Sequence, residues 1–327
     1  MKCLRNIGMS PLETRDDALI DVLYNVKNIA IFQEDIYIGS GEQLIVWDKY
    51  GKFKRVLSKK GNDPQSYLHF NHFVIWPNGD LSIASPIEIV TYSNSHQFIN
   101  KKRCENVGYI EAITLLNDSL YIICMPTPEQ LRYRIINHHT GAIINSYDSI
   151  INCNRYISSF TNSFERYEGH IISHGYQSND ILECTLDSSK IRYKINVDNR
   201  IPPAGFYTQE GKEGMQLIQE EAEKGYIGHI PDYVESKETI LLSFKGKRED
   251  LNGIALIDKK DGNARVLENI KFDDNFRWLP KQFFSLDEGW CAMLMYPEDV
   301  LKKEEFARRF PGLDEESNPV LFIGKLR

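Results

Sequence analysis

One unit of short apolar strands recurs through the whole chain, and this repetition restricts the possible folds more than any other feature. Each copy has a turn, an apolar strand, a loop and a second strand, and several copies add a glycine turn and a third strand. The leading apolar runs of the six copies are 36–38, 81–83, 120–123, 170–172, 239–242 and 290–294. Repeats of about 40–50 residues with three or four strands each are typical of a β-propeller.

A single sheet of this kind cannot bury both of its faces, whereas blades packed around an axis cover one another and expose only short outer edges. We therefore predict an all-β chain that forms a six-bladed β-propeller with two short helical insertions. The prediction treats 1–327 as a single domain, with blades at approximately 28–67, 72–104, 111–150, 158–198, 233–270 and 277–326.

Two segments depart from the strand pattern and predict the helical insertions. Segment 210–224 places apolar residues at offsets of three and four with glutamates between them, and Gly225 is suited to end that helix. Segment 297–310 opens with a proline, which is favoured in the first turn of a helix. Neither segment is long enough to form a domain.

The two ends of the chain are expected to meet in the last blade. The apolar strand at 319–324 needs a partner, and the N-terminal segment near 4–20 could supply one. This closure predicts a self-contained propeller, and we expect a monomer.

Composition and charge narrow the class of protein. The chain has 327 residues, of which 42% are hydrophobic and 26% charged, as expected for a globular protein. Its formal net charge is −7, which argues against nucleic acid as the main partner. No apolar run reaches the length of about 18 residues that a transmembrane helix needs, and residues 1–6 lack the apolar region of a signal peptide.

The six cysteines do not form a recognised metal or redox motif, since none lies in a C-x-x-C pair. Cys124, Cys184 and Cys291 fall in apolar strand-like runs, where a small buried side chain is the simplest interpretation. A disulfide between Cys104 and Cys153 stays open, because the sequence does not give their separation.

Three motifs resemble those of a known family. Segment 59–67 follows the glycine turn of the first blade and looks like a G-x-G-P-x-E-Y linker, although Asp63 replaces its second glycine and Ser66 its glutamate. Segment 11–14 reads P-L-E-T, and 318–319 reads N-P. All three resemble a family of bacterial six-bladed β-propellers related in shape to the NHL and TolB-type propellers, mostly secreted or surface lipoproteins without an established activity. The resemblance implies the propeller fold and a periplasmic or cell-surface location.

Sequence motifs of catalysis are absent. The chain has no G-x-S-x-G elbow, P-loop, dinucleotide-binding glycine motif, H-E-x-x-H or EF-hand loop, so no catalytic residue, metal ligand or cofactor is predicted. His138 and His139 precede the Gly141 turn, and neighbouring strand residues point to opposite faces. A solvated hairpin end is therefore the preferred interpretation of this pair.

A candidate ligand site follows from the geometry expected of a propeller. The residues just before each inner strand should gather at one mouth of the central channel. A rim of cations, aromatic rings and one carboxylate would suit an anionic or sugar-like ligand. Its predicted members are Lys27, His72, Glu111, Arg155, Tyr156, Tyr233, Arg277, Trp278 and Lys281. Arg155, Arg277 and Trp278 are the strongest candidates, as planar donors and a stacking face.

The functional expectation is a non-catalytic module that binds a glycan, peptide or protein. The alternative is a metal-dependent hydrolase or lyase of the lactonase or NHL-like propeller type, for which His72 and Glu111 fall short of a ligand set. A cytoplasmic propeller used in protein assembly is a third possibility. The fold alone does not decide among them, since one propeller fold hosts many functions.

Overall fold

The computed structural model describes most of the chain. The described residues are 3–20, 26–104, 109–125, 131–149, 164–174, 179–197, 200–203, 205–209, 211–212, 214–272, 276–302 and 304–327. Short antiparallel strands dominate them, as the period-2 alternation of apolar residues predicts.

The strands, numbered along the chain, are β1 (Leu4–Pro11), β2 (Val26–Phe32), β3 (Asp35–Ser40), β4 (Gln43–Asp48), β5 (Phe53–Leu57), β6 (His72–Ile75), β7 (Leu81–Ser85), β8 (Glu88–Tyr92), β9 (Phe98–Arg103), β10 (Ala112–Asn117), β11 (Leu120–Cys124), β12 (Leu131–Asn137), β13 (Ile143–Ser149), β14 (Phe164–Tyr167), β15 (His170–His174), β16 (Asp180–Cys184), β17 (Ser189–Lys194), β18 (Ile227–His229), β19 (Tyr233–Glu235), β20 (Thr239–Gly246), β21 (Gly253–Asp258), β22 (Ala264–Val266), β23 (Ile270–Lys271), β24 (Arg277–Trp278), β25 (Phe283–Ser285), β26 (Trp290–Met295) and β27 (Val320–Leu326). The helices are α1 (Gly214–Lys224), α2 (Pro297–Leu301) and α3 (Glu304–Arg309).

These strands form six sheets in which neighbours along the chain pair with one another. Their orders are β2-β3-β4-β5, β6-β7-β8-β9, β10-β11-β12-β13, β14-β15-β16-β17, β18-β20-β21-β22 with β19 on β20, and β1-β27-β26-β25. A separate two-stranded ribbon joins β23 to β24. The fold is a six-bladed β-propeller, which confirms the prediction from the sequence repeat.

The chain divides into two compact units. Unit 1 comprises Met1–Ser58, Asp232–Leu241 and Ala255–Arg327, and unit 2 comprises Lys59–Pro231 and Leu242–Ile254. The expectation of one domain over 1–327, with the blade limits given above, stays a prediction.

The core of unit 1 lies between sheets. Trp47 of β4 is fully buried and belongs to one cluster with Phe284 of β25 and Leu321 of β27. A second, aromatic cluster surrounds Phe322, whose ring stacks on Phe276 at 5.4 Å. Burying aromatic faces on both sides of β27 anchors the last sheet.

The core of unit 2 also lies between neighbouring sheets. Tyr133 of β12 is fully buried, packs on Phe164 of the next sheet at 6.2 Å, and donates a hydrogen bond to Ser173 Oγ at 2.8 Å. Burial raises the pKa of the Tyr133 hydroxyl well above its usual range, so it remains a donor.

The predicted meeting of the chain ends is confirmed. β1 pairs antiparallel with β27, with Pro11 opposite Val320 and Leu4 opposite Leu326. The first strand of the chain is thus the outermost strand of the last sheet, which closes that sheet with both ends of the polypeptide.

The helical insertions lie where the sequence predicts them. α1 is followed by Gly225 at φ 65°, a left-handed residue that ends the helix. The second insertion consists of α2, which opens on Pro297, and α3, whose Phe306 is buried.

Candidate binding site

The inner strands of unit 2 start side by side. Strands β6, β10 and β14 are neighbours in space. Asn71, just before β6, donates from Nδ2 to the carbonyl oxygen of Ile110 at 2.6 Å, and Tyr109 donates its hydroxyl to Asn71 Oδ1 at 3.3 Å. Residues that precede two inner strands therefore share one end of the unit.

Four polar side chains are buried at this end, which we call the polar end of unit 2. His72 opens β6, Glu111 precedes β10, Arg132 lies at the start of β12, and His174 ends β15. They are 7%, 8%, 8% and 6% exposed. Burying ionisable groups is costly, so their collection at one set of strand ends needs a physical reason.

Two backbone hydrogen bonds and one from a side chain to a backbone carbonyl hold three of these residues in place. Glu111 donates its backbone N–H to Cys124 O at 3.0 Å, and Met125 donates to Arg132 O at 2.9 Å, across the ends of β10, β11 and β12. Arg132 then reaches the next sheet, where its Nη2 donates to His174 O at 2.6 Å.

His174 is neutral at physiological pH. Burial and the adjacent charge of Arg132 lower its pKa to about 3, against a smaller opposing effect of a hydrogen bond with the Ile230 backbone. Of this contacting pair, Arg132 therefore carries the positive charge.

The predicted rim residues are distributed over both units. His72 and Glu111 lie together at the polar end of unit 2. Lys27 lies in β2 of unit 1 and is half-buried, and burial lowers its pKa while Glu42 raises it. Tyr233 is buried at the start of β19 and donates to Glu235 Oε2 at 2.8 Å.

The remaining described rim residues all belong to unit 1: Arg277 and Trp278 form β24, and Lys281 follows that strand. Arg277 is exposed, whereas Trp278 is 8% exposed, with its ring 5.7 Å from that of Phe322 and packed among aromatic side chains. Lys281 pairs with Glu298 at 3.0 Å. Arg155 and Tyr156 lie outside the described residues. The rim as a ligand site stays a prediction.

Sequence reasoning missed Arg132 and His174. Each lies in a strand that also contains buried apolar residues, and Arg132 adjoins the fully buried Tyr133. A charged residue at a strand position expected to be buried is unusual, and it was the one local sign of a functional role. Its meaning depended on contact with another sheet, which the local pattern does not reveal.

The P-L-E-T and N-P motifs form one buried junction in unit 1. Asn318 is 1% exposed, and its Nδ2 donates to Glu13 O at 3.0 Å and Ala18 O at 2.9 Å. Its Oδ1 accepts from Ile20 N at 2.8 Å, and its backbone N–H donates to Thr14 Oγ1 at 2.8 Å. These motifs therefore support the closure of the last sheet.

The linker motif of unit 2 is also structural. Tyr67 donates its backbone N–H to Lys59 O at 3.1 Å, and Gly61 donates to Tyr67 O at 3.0 Å. The two residues that depart from the family pattern bond to each other, since Ser66 Oγ donates to Asp63 Oδ2. That bond compensates locally for both substitutions.

The histidine pair is only partly solvated. His139 is exposed, as predicted, but His138 is half-buried, with its ring 4.2 Å from that of Trp76 and its Nδ1 2.7 Å from the Tyr121 hydroxyl. The prediction was wrong for His138, because Trp76 comes from the preceding sheet and covers it.

The cysteines behave as predicted where they are described. Cys124, Cys184 and Cys291 are buried. Cys104 is also buried, which raises the pKa of its thiol to about 12. Cys104 is a free thiol, so the disulfide with Cys153 that the sequence left open is not formed. Cys153 itself lies outside the described residues.

The described residues contain neither a metal-binding cluster nor a helix that could span a membrane. No group of three or more His, Cys, Asp or Glu side chains there is placed to hold a metal ion. Within the same part of the chain, no helix combines the length and apolarity needed to cross a membrane.

Solved structures share the fold at low identity. A candidate exported protein of Bacteroides fragilis aligns with a TM-score of 0.76 at 12% identity, covering 99% of this chain and 96% of that one. A DUF4221 family member from Bacteroides vulgatus gives 0.57 at 10% identity, with coverages of 99% and 97%. Virginiamycin B lyase from Staphylococcus aureus gives 0.50 at 10% identity, with coverages of 98% and 100%.

No curated protein matches the sequence. One family model does, and it spans residues 4–325. This match includes all six sheets together with the closure of the two chain ends. The chain therefore belongs to the family described as a domain of unknown function, DUF4934.

Proposed function

We propose that this protein is a non-catalytic binding module whose ligand site is the polar end of unit 2. One observation carries the proposal: His72, Glu111, Arg132 and His174 are each no more than 8% exposed and lie at the same set of strand ends. Sites that break the rule of apolar burial are often functional, because selection for binding offsets their cost to stability.

The chemistry of the site supports binding of a polar ligand. A guanidinium, two imidazoles and a carboxylate offer donors and acceptors held by packed strands, which lowers the entropy lost on binding. Glycans, peptides and protein segments present complementary groups. By resemblance to the lipoprotein propellers, the proposal includes a location outside the cytoplasm, and it includes a monomer that does not bind nucleic acid.

The test is equilibrium dialysis of the purified full chain against a panel of neutral and uronic-acid oligosaccharides and short peptides, read by mass spectrometry. We expect at least one compound to bind and to be recovered intact. Glu111→Gln and His72→Ala should weaken that binding about tenfold or more, whereas Glu223→Gln on the exposed side of α1 should leave it unchanged.

Two results would contradict the proposal. Unchanged affinity in both site variants would place the ligand elsewhere. A recovered compound of altered mass, with a stoichiometric divalent ion found by elemental analysis, would favour the metal-dependent hydrolase or lyase instead.

A further inference from the structure

The Arg132 guanidinium contacts the His174 carbonyl and the Cys124 thiol, which are fewer partners than this buried group requires. The group carries five N–H donors. Nη2 donates to His174 O at 2.6 Å, while Nε is buried and has no hydrogen-bond acceptor among the described residues. The cation lies 5.0 Å from the centre of the Tyr133 ring, which is a weaker interaction than an ion pair.

No carboxylate in the described part of the chain forms an ion pair with Arg132. Other cations of unit 2 do have a counter-charge: Arg192, for example, pairs with Glu183 at 3.0 Å. A buried cation without a counter-charge is strongly disfavoured, and an anion from outside the chain would relieve that cost.

We propose that Arg132 anchors a carboxylate-binding subsite, in which Nε and Nη2 bind a carboxylate group of the ligand. This inference rests on the proposed function and names the chemical class of its ligand: a uronic acid, a peptide C-terminus or an acidic side chain. Nε and one Nη of a guanidinium form a planar edge that matches the two oxygens of a carboxylate.

The charge of the Arg132–His174 pair favours a carboxylate over a phosphate. Arg132 supplies one positive charge, and His174 beside it is neutral at physiological pH. A carboxylate carries one negative charge, whereas a phosphate monoester carries nearly two at pH 7. A phosphate would therefore remain partly uncompensated in this buried setting.

The experiment is NMR of the full chain in the arginine Nε–Hε region, titrated with sodium acetate or sodium glucuronate. Sodium chloride and sodium phosphate at matched ionic strength are the controls. Arg132→Lys identifies the Arg132 signal and keeps the charge while removing the planar edge. Arg192→Lys is the matched control variant, because Arg192 forms an ion pair with Glu183 and is not part of the proposed subsite.

We expect the Arg132 signal to shift saturably with the carboxylates and not with chloride. The melting temperature should rise with acetate or glucuronate in the wild type and in Arg192→Lys, and this rise should be lost in Arg132→Lys. If Arg132→Lys fails to fold, through-bond assignment of the wild-type side chains identifies the Arg132 signal, and the same titration is read there.

A signal that does not move with either carboxylate would overturn the inference, as would a shift with phosphate alone. If the dialysis panel finds a ligand that needs Glu111 and His72 while Arg132→Lys binds it normally, the proposed function stands and the carboxylate subsite fails. If no compound binds but Arg132 titrates with acetate, the subsite stands without the larger function.

Discussion

Gly51 shows how a single residue can be required by the backbone of a distant segment. It lies in the turn between β4 and β5 at φ 82°, and its N–H donates to Asp48 O at 2.9 Å. A Cβ at this position would lie 2.1 Å from the carbonyl oxygen of Pro11, the first residue of the P-L-E-T motif. Only glycine can adopt this left-handed backbone conformation and also leave room for the Pro11 carbonyl oxygen.

We predict that Gly51→Ala lowers the free energy of unfolding by about 2–3 kcal/mol, since it adds a backbone collision to left-handed strain. Gly262→Ala is the matched control, because Gly262 has φ 73° and open space around it. It should cost about 1 kcal/mol. Urea unfolding measures both variants, and equal losses would show that the contact with Pro11 does not matter.

A second prediction concerns the linker of unit 2. The Ser66 hydroxyl, followed by the Gln65 backbone N–H, lowers the pKa of Asp63. Ser66→Ala should raise that pKa toward the ordinary value for an aspartate, as measured by NMR of the carboxyl carbon during an acid titration. Ser95→Ala, in an exposed turn, should leave it unmoved. A pKa that is the same in wild type and Ser66→Ala would refute the compensation between the two residues.

At the scale of elements, the outer strands of several sheets are basic. The Lys and Arg residues on three of them are Lys54 and Arg55 of β5, Lys101, Lys102 and Arg103 of β9, and Lys190, Arg192 and Lys194 of β17. Charged outer strands discourage edge-to-edge pairing with other chains. They also supply partners for acidic residues on the adjacent strand.

Glu183 of β16 is one such acidic residue, and two of its partners come from the outer strand β17. Its carboxylate lies 2.9 Å from Lys190 Nζ, 3.0 Å from Arg192 Nη1 and 3.0 Å from His170 Nδ1. Burial alone would raise the pKa of Glu183, but these neighbours outweigh it and the pKa is lowered. A lowered carboxyl pKa stabilises the fold above the unfolded-state value and loses that contribution as the pH falls through the folded-state value.

Glu183→Gln should therefore cost about 1–2 kcal/mol of unfolding free energy near pH 7. The difference from wild type should shrink as the pH falls below about 4, where the unfolded-state carboxyl also becomes protonated. Urea unfolding at several pH values checks this. Glu315→Gln, at an exposed position, serves as the control. A pH-independent Glu183→Gln difference would contradict the assignment.

At the scale of the whole molecule, the last sheet contains both ends of the chain. β1 and β27 pair along their length, and Asn318 fastens the segment that follows β1 to the one that precedes β27. The sequence separation between these partners is nearly that of the full chain, so forming the junction costs the entropy of closing a loop of that length.

Asn318→Ala should lower the free energy of unfolding by about 3 kcal/mol, because three backbone groups lose their buried partner at about 1 kcal/mol each. Asn263→Ala, in an exposed turn where Nδ2 reaches Asp261, should change it by less than about 0.5 kcal/mol. Thermal and urea unfolding compare the two. A loss for Asn318→Ala as small as that of the control would show that the junction does not hold the closure.

Local patterns were sufficient to predict much of this architecture. Alternating apolar residues, glycine turns and a repeat of about 40–50 residues predict short antiparallel strands in six sheets, because strand formation and turn geometry depend on adjacent residues. The need of the final strand for a partner predicted the pairing of β1 with β27. Gly225 likewise predicted the end of α1, since a left-handed residue stops a helix whatever surrounds it.

The sequence by itself thus determined the elements and their sheets, and only the tertiary structure decided which polar side chains meet. His72 and Glu111 were predicted from their place before inner strands. The contact of Arg132 with His174 and the cover of Trp76 over His138 each join two different sheets. Such contacts depend on side-chain packing between segments about 40 or more residues apart, and no periodicity within either segment encodes them.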